Sequence, residues 1–525
     1  MNILISDPVE QVCTRILEQH GHTVENKPGI KQEELLKTIS SYDALIVRSG
    51  TQVTSVVIGA GKNLKVIGRA GAGVDNIDVE AASRKGIIVL NTPGGNTVSA
   101  AEHTIAMMMA LARRIPQANA LLREGKWDRK KFVGTELHGK TLAIIGLGKI
   151  GREVAVRCQA FGMKTIGYDP VMPAEAAAKL GIALLSLDEI WPQADFVSVH
   201  TPLNDETRHL ISDAQIARCK ATVRFVNCAR GGIIDEEAML RGLESGKVAG
   251  AAFDVFVNEP PGDHPLIQHP NVVTTPHLGA STEEAQETVA QMIAQQVADA
   301  LVGRGLTGAV NAAALQNSYQ QDVYPYLVLA ERIGSLMAQI VPHNISTLNV
   351  RVQGSIVERT LDSLAAAVLK GFLSHHVLEP VNLINAKIVG EELGMSIETT
   401  TGRIDDSLAE AVAVECRWKD SSLKTIGTVH NSNSPRIVEF AGFPIEFVAH
   451  GHILLYENED RPGVLARVST TLAGDNLNIA SLSLGRNEVG GKAITAIGID
   501  SPPSDRIFNE LAAIDGVRRA WIIRL

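Results

Sequence analysis

One stretch constrains this chain more than any other: the apolar run Leu142 to Ile145 followed by Gly146-Leu147-Gly148-Lys149-Ile150-Gly151. The run reads as a buried strand, and the pattern from Arg152 to Phe161 reads as a helix. A strand that breaks into Gly-x-Gly-x-x-Gly and then a helix is the phosphate turn of a dinucleotide-binding unit. Gly146 permits the tight turn, Gly148 lets backbone approach a pyrophosphate, and Gly151 lets the helix pack closely on the strand. The helix N-terminus then offers free N–H groups and the positive end of its dipole to the phosphates. A second strand, Lys164 to Tyr168, ends in Asp169. That carboxylate is placed to accept both ribose hydroxyls of an adenosine and would repel a 2′-phosphate. The expected cofactor is therefore NAD rather than NADP.

Four more strand candidates follow: Phe196–His200, Val223–Asn227, Ala251–Phe256 and Val272–Thr275. With the first two they make a doubly wound α/β sheet. Each ends in polar residues: His200-Thr201-Pro202, Cys228-Ala229-Arg230-Gly231-Gly232, Asp254 with Glu259-Pro260 beyond it, and Pro276-His277-Leu278-Gly279. Hydride transfer from a secondary alcohol needs a base for the hydroxyl proton and a cation for a neighbouring carboxylate. Histidine titrates nearest neutrality, and His277, just past the last strand, is the best placed of the 15. Glu259 is the candidate to orient its ring and stabilise the imidazolium. Arg230 can pair with a substrate carboxylate through its planar fork. Asp254 can hold the nicotinamide carboxamide.

The first hundred residues carry strand candidates Asn2–Ser6, Ala44–Arg48, Leu64–Gly68 and Ile87–Asn91 between helix-like segments, which implies a second parallel sheet. Its strand ends bear Arg48-Ser49-Gly50 and Arg69-Ala70-Gly71-Ala72-Gly73. Ligands in such sheets sit beyond the strand carboxyl ends, so Arg48, Arg69 and the amides at Gly71 and Gly73 are candidates for an anionic substrate. A long helix from Val98 to about Ile115 is apolar around most of its circumference, as expected for a buried or interfacial helix. Its methionine run, Met107 to Met109, reads as core filler and His103 as a structural residue. The segment Trp127-Asp128-Arg129-Lys130-Lys131-Phe132 is a small basic cluster that could reach a phosphate through Arg129 or Lys131.

Composition narrows the classes. The 525 residues suggest three or four domains at roughly 150 residues each. A net charge of −9 with no concentrated basic face argues against nucleic acid as a partner. No apolar run approaches the length of a membrane span, and Met1 to Asp7 reads as a strand and turn rather than a signal peptide. The five cysteines have neither metal-ligand nor disulfide spacing, which suits a cytoplasmic protein. His375-His376 and His450-x-His452 lack further ligands at metal spacing, so no metal is expected.

These motifs resemble the D-isomer-specific 2-hydroxyacid dehydrogenase family. The resemblance runs through Gly68-Arg69-Ala70-Gly71-Ala72-Gly73-Val74-Asp75-Asn76-Ile77-Asp78, the glycine fingerprint, Asn227-Cys228-Ala229-Arg230-Gly231-Gly232, Asp254-Val255-Phe256 and Pro276-His277-Leu278-Gly279-Ala280-Ser281-Thr282. It implies Arg230, Glu259 and His277 as catalytic residues. It also implies an NAD site lined by Lys149, Ile150, Asp169, Thr201, Cys228, Ala229, Arg230, Asp254, His277, Gly279 and Ala280, beside Gly146, Gly148 and Gly151. The family fold makes the first, flavodoxin-like domain discontinuous, with residues 1–97 and 286–312 binding substrate and 98–285 binding NAD.

The C-terminal part divides in two. Asn311 to Asn317 reads as a linker after the helix Glu283–Leu301. The stretch to residue 449 mixes helices (Tyr326–Ile340, Arg359–Phe372, Asn382–Glu392) with strands (Thr347–Val352, Ile397–Thr401, Ala411–Trp418) and resembles the intervening domain of longer family members. From residue 450 the order βαββαβ describes a ferredoxin-like unit. With Glu459-Asp460-Arg461-Pro462-Gly463-Val464 and Asn476-Leu477-Asn478-Ile479 it resembles an ACT regulatory domain. Such domains pair across subunits, and the tail alone is small for a monomeric core.

The resemblance as a whole implies NAD-dependent oxidation of 3-phospho-D-glycerate to 3-phosphohydroxypyruvate, the first step of phosphorylated serine synthesis, in a cytoplasmic homotetramer. L-serine is the implied effector: Asp460 accepts from its ammonium, and Asn478 supplies an amide from the partner. Asn458 departs from the His or Tyr of some serine-inhibited relatives. The alternatives are a sister enzyme acting on glycerate or hydroxypyruvate, and a non-catalytic NAD-binding scaffold. The ACT-like tail argues against both.

Overall fold

The computed structural model describes residues 1–312, 315, 320–342, 345–431 and 433–525. The linker read over 311–317, and the domain boundary set at 313, lie partly outside the described residues. The chain forms two compact units, one of Thr92–Met292 and one of Met1–Asn91 with Ile293–Leu525.

In the second of these, β1 (Asn2–Ile5), β2 (Thr23–Asn26), β3 (Ala44–Val47), β4 (Val66–Arg69) and β5 (Ile88–Leu90) form a parallel sheet ordered β2-β1-β3-β4-β5. The edge strand β2 was not expected. Its sequence Thr-Val-Glu-Asn is mostly exposed and carries no apolar run to betray it. The far edge is closed by the returning chain: Val89 N–H donates to Asn311 Oδ1 (2.9 Å), and Val310 N–H to the Val89 carbonyl (2.8 Å).

The Thr92–Met292 unit holds β6 (Thr141–Ile145), β7 (Lys164–Tyr168), β8 (Ala183–Leu184), β9 (Phe196–Val199), β10 (Arg224–Asn227), β11 (Gly250–Phe253) and β12 (Val272–Thr274). The order β12-β11-β10-β9-β6-β7-β8 is all parallel, and the two-residue edge strand β8 adds one to the six expected. The chain reverses direction across the sheet at β6, between β7 and β9. Such a reversal opens the crevice where open α/β sheets bind ligands. The helix Thr97–Arg113 buries Ala101, Ile105, Met107, Met108 and Leu111 against this sheet, so the methionines are core.

Beyond the linker, β13 (Thr347–Gln353), β14 (Ser396–Thr401), β15 (Ala411–Trp418), β16 (Ser421–His430), β17 (Ser434–Phe440) and β18 (Phe443–Val448) form a sheet ordered β14-β13-β15-β16-β17-β18. Helices Tyr324–Ala338 and Leu361–Leu373 contribute Leu329, Ile333, Leu336, Val368 and Phe372 to its core. Strands β16 to β18 escaped the sequence reading because β16 spaces its few apolar residues among polar ones, and Pro435 and Pro444 interrupt β17 and β18. The tail adds β19 (His452–Glu459), β20 (Ile479–Arg486), β21 (Lys492–Ile499) and β22 (Val517–Arg524), antiparallel in the order β20-β21-β19-β22. Side chains alternate across a strand. Leu454 and Tyr456 pack with Val468, Leu472, Ile507 and Leu511 of the tail's helices, whereas Ile453 and Leu455 join the core of the preceding sheet. The small tail therefore has its second face covered within its own chain.

Candidate active site

Gly146 follows β6 with φ +95°, and a Cβ there would stand 2.6 Å from the His200 carbonyl. A Cβ on Gly151 would run into the Gly146 carbonyl oxygen, whereas one on Gly148 would meet nothing within 4 Å. Two glycines thus close the turn and the third leaves its outer side open. Gly148 is the N-cap of the helix Lys149–Ala160 and makes no side-chain cap, so the first-turn N–H groups at Lys149, Ile150 and Gly151 face an incoming anion. The Lys149 ammonium donates to the Pro93 carbonyl (3.1 Å).

Asp169 closes the far side of this turn. Its Oδ2 accepts from Leu147 N–H (2.8 Å), and its Oδ1 from Val171 (2.9 Å) and Met172 (3.0 Å). Partial burial opposes the charge, but these three N–H groups and the nearby Arg152 outweigh it and hold the carboxyl below its ordinary range. Thr201 Oγ1, just beyond β9, is buried without a hydrogen-bond partner, the kind of polar atom that a bound ligand takes up. The turn, the anchored carboxylate and this orphaned hydroxyl all fit a dinucleotide.

At the other strand ends, Glu259 Oε2 meets His277 Nδ1 at 2.8 Å and Glu259 Oε1 accepts from Phe256 N–H (3.1 Å). Burial opposes the Glu259 charge, yet the His277 bond holds the carboxyl below its ordinary range. His277 has φ +54°, uncommon for a residue with a β-carbon, and its N–H donates to the carbonyls of Asp254 (2.9 Å) and Thr275 (3.1 Å). A cavity of about 380 Å³ opens beside the pair, lined by Asp254, Phe256, Glu259, Ile267, Thr275 and His277 among others. Arg230 lies in the turn after β10, where Asn227 Nδ2 donates to the Arg230 carbonyl (2.8 Å) and Nη1 donates to the Ala229 carbonyl (2.7 Å). Cys228 and Ala229 occupy the same turn, and Gly279 and Ala280 follow β12.

Asp254, 1% exposed at the end of β11, is the most heavily bonded of these groups. Its Oδ1 accepts from the Thr275 hydroxyl (2.6 Å) and Leu278 N–H (2.7 Å), and its Oδ2 from Gly279 N–H (2.9 Å). His103 Nε2 stands 3.1 Å from Oδ1. The sequence reading of His103 as a structural residue did not include this partner, because nothing local to its helix points to a carboxylate so distant in the chain. Among the described residues, His103, Cys228 and Asp254 form one cluster of metal-ligand type. Its carboxylate is already surrounded by donors, and burial pushes the Cys228 thiol up, away from the thiolate a metal requires.

The cation candidates lie on two units. Arg48 follows β3 and Arg69 ends β4, where Asn76 ties them: Arg69 Nε donates to Asn76 Oδ1 (3.1 Å), and Asn76 Nδ2 to the Arg48 carbonyl (2.7 Å). Gly71 and Gly73 continue the turn after β4. Arg129 and Lys131 are exposed on a loop of the nucleotide unit, with Lys131 N–H on Asp128 Oδ1 (3.3 Å). In the tail, Asp460 Oδ2 accepts from Arg486 (2.7 Å) and Gly490 N–H (3.0 Å), and Asn478 Nδ2 donates to Asp500 (3.0 Å). Both effector candidates therefore have partners inside the tail.

Three family models match. Residues 105–279 match the NAD-binding domain of the D-isomer-specific 2-hydroxyacid dehydrogenases, 322–441 the D-3-phosphoglycerate dehydrogenase intervening domain, and 452–516 the ACT domain. A D-3-phosphoglycerate dehydrogenase of Synechocystis is 42% identical over 525 residues, covering 100% of this chain and 94% of that protein. One of Methanocaldococcus jannaschii is 41% identical over 527 residues, covering 100% of both. A solved glyoxylate reductase from Paecilomyes thermophila aligns over 59% of this chain and 98% of its own, at 33% identity and TM-score 0.55.

Proposed function

The chain belongs to the D-3-phosphoglycerate dehydrogenase family, and from that premise we propose how its residues carry the reaction. It is an NAD-dependent oxidoreductase that oxidises 3-phospho-D-glycerate to 3-phosphohydroxypyruvate, at the start of phosphorylated serine biosynthesis. The observation that carries the catalytic reading is the Glu259–His277 contact of 2.8 Å at the edge of a cavity.

NAD supplies the acceptor for the hydride. His277 takes the hydroxyl proton of the substrate, and Glu259 fixes its ring and stabilises the imidazolium that results. Run in reverse, the same imidazolium returns the proton. Arg230 binds the substrate carboxylate and orients the adjoining carbon. Asp254 receives the carboxamide, Asp169 the ribose hydroxyls, and the first-turn amides at Lys149, Ile150 and Gly151 the pyrophosphate. Arg48 and Arg69, with the amides of Gly71 and Gly73, face the substrate's anionic groups. Arg129 or Lys131 of a neighbouring subunit completes the phosphate site. The protein acts in the cytosol as a homotetramer, and L-serine restrains it through the ACT tail at Asp460 and Asn478.

The test is NADH-dependent reduction of 3-phosphohydroxypyruvate by the purified protein, with hydroxypyruvate and glyoxylate as rival substrates. Turnover of a rival at equal or greater efficiency would move the assignment to a sister activity. No turnover with any of them, with NADH still bound, would leave a scaffold.

A further inference from the structure

We propose that His103 is a positioning residue for the nicotinamide: its Nε2–H locks one oxygen of Asp254 so that the other is presented to the carboxamide. The argument counts lone pairs. A carboxylate offers about two acceptor sites on each oxygen. Asp254 Oδ1 is approached by the Thr275 hydroxyl (2.6 Å), Leu278 N–H (2.7 Å) and His103 Nε2 (3.1 Å), so it has no capacity left. Oδ2 takes Gly279 N–H (2.9 Å) and keeps a site. Only Oδ2 can accept from an incoming amide.

The donor directions close around the same histidine. The Thr275 hydroxyl gives its one proton to Asp254, so its lone pair faces His103 Nε2 at 3.2 Å. Both neighbours of Nε2 are therefore acceptors, and that nitrogen must carry the proton, shared between them. Replace it with a group lacking the proton and two acceptors lose their donor. The carboxylate then keeps only Thr275, Leu278 and Gly279, and Oδ1 regains acceptor capacity that competes with Oδ2 for the incoming amide.

The position of His103 makes it an anchor. It sits on the helix Thr97–Arg113, which is packed on the sheet through Ala101, Ile105, Met107 and Met108. Asp254 and Thr275 follow strands β11 and β12, where Leu278 and Gly279 bind the carboxylate and His277 N–H binds the Asp254 carbonyl (2.9 Å). The His103 contact thus ties the carboxylate, around which the His277 loop is wrapped, to the packed helix.

This inference rests on the reading of Asp254 as the carboxamide partner, and the experiment separates the two. NADH is titrated by fluorescence into wild type, His103→Leu, His103→Gln, Asp254→Asn and the His103→Leu/Asp254→Asn double variant. A hydrogen bond to a charged group is worth about tenfold or more in affinity. His103→Leu should weaken NADH about tenfold. His103→Gln, whose amide N–H reaches the Nε2 position, should stay within about twofold of wild type. The double variant should bind like Asp254→Asn alone, because a residue acting through another adds nothing once that other is changed.

Wild-type affinity in His103→Leu overturns the proposal, as does a glutamine variant as weak as the leucine one. Additive losses in the double variant also overturn it, by showing that His103 acts elsewhere. Unchanged affinity in Asp254→Asn overturns the Asp254 reading and this inference with it. Should His103→Leu fail to fold, His103→Asn, whose amide stops short of the carboxylate, takes its place with the same expected loss.

Discussion

In the nucleotide unit, Asp169 is held by three backbone N–H groups and Asp254 by two, with the Thr275 hydroxyl and His103 beside them, whereas Asp460 in the tail shares its Oδ2 between Gly490 N–H and the Arg486 guanidinium. The difference decides what each can bind. Backbone donors are fixed by the strand ends, so they orient a carboxylate without competing for the same space as a ligand's cation. An arginine is itself a cation, occupying the place where an ammonium would stand. One carboxylate arrangement is open to a ligand as it is, and the other must exchange a partner to receive one.

The largest effect expected on this contrast comes from removing the base. His277→Ala should lower turnover of 3-phosphohydroxypyruvate by about 10²–10⁴, the usual worth of general acid–base help, while NADH affinity by fluorescence stays near wild type. A loss of NADH affinity equal to the loss of turnover would mean that His277 holds the cofactor and that the nucleotide unit has no separate proton carrier.

Asp169→Ala should weaken NADH about tenfold to a hundredfold and narrow the preference over NADPH, since the charged hydrogen bond that Oδ2 can still accept from the ribose is lost. The pH dependence follows in sign. The Asp169 carboxyl is held below its ordinary value, near 3.9, so the charged form and the affinity it supports persist above that value. They are lost only as pH falls through the lowered one. NADH titrations from pH 8 to 5 should be level as far as Asp169 is concerned. An affinity already falling at pH 6 in wild type, but not in Asp169→Asn, would contradict the anchoring.

The legibility of the two regions differs for the same reason that their carboxylates do. The glycine turn, Asp169, Arg230, Glu259 and His277 could be read because each follows an apolar run that ends at one sheet edge. Local spacing then does the work of geometry. The Glu259–His277 pair is near enough in sequence for the roles to suggest each other. His103 could not be read, since its partners Asp254 and Thr275 lie on distant strands and only the packed helix brings them together. The edge strands β2 and β8 are short, β16 is largely polar, and β17 and β18 each carry a proline that argues against a strand. In the tail, the βαββαβ order was plain from alternation. What alternation cannot tell is which element covers the outer face, and Ile453 and Leu455 meet the preceding sheet within the same chain. The size argument for pairing with a second copy is weakened accordingly.

A smaller effect should come from the phosphate cations. Arg69→Ala and Arg129→Ala should each raise KM for 3-phosphohydroxypyruvate about tenfold, and KM for hydroxypyruvate far less, because a charged contact is lost only with the phosphorylated substrate. Arg69 is tied to Asn76 and through it to the Arg48 backbone, so Arg69→Lys, which lacks the Nε donor, should recover only part of the loss. Equal rises for both substrates would assign Arg69 to the shared carboxylate and leave Arg230 with another task.

The smallest effect tests the tail, where the contrast with the nucleotide unit is sharpest. L-serine brings an ammonium that needs an acceptor, and Asp460 is that acceptor in the proposed site. Its carboxyl is held below the ordinary range by Gly490 N–H and by Arg486, so it is charged at neutral pH. Gly490 is a backbone donor and can stay. Arg486, whose side chain is 47% exposed, must swing away for the ammonium to approach. Exposed ion pairs are weak, so the displacement costs little and removing the arginine gains little: Arg486→Ala should tighten L-serine about two- to fivefold by calorimetry. Asp460→Ala should abolish the binding heat. Raised salt should tighten serine in wild type more than in Arg486→Ala, because screening weakens the internal pair that competes. A weaker serine affinity in Arg486→Ala would reverse the assignment: the arginine would then be a donor to the effector's carboxylate, and Asp460 its support rather than the ammonium's acceptor.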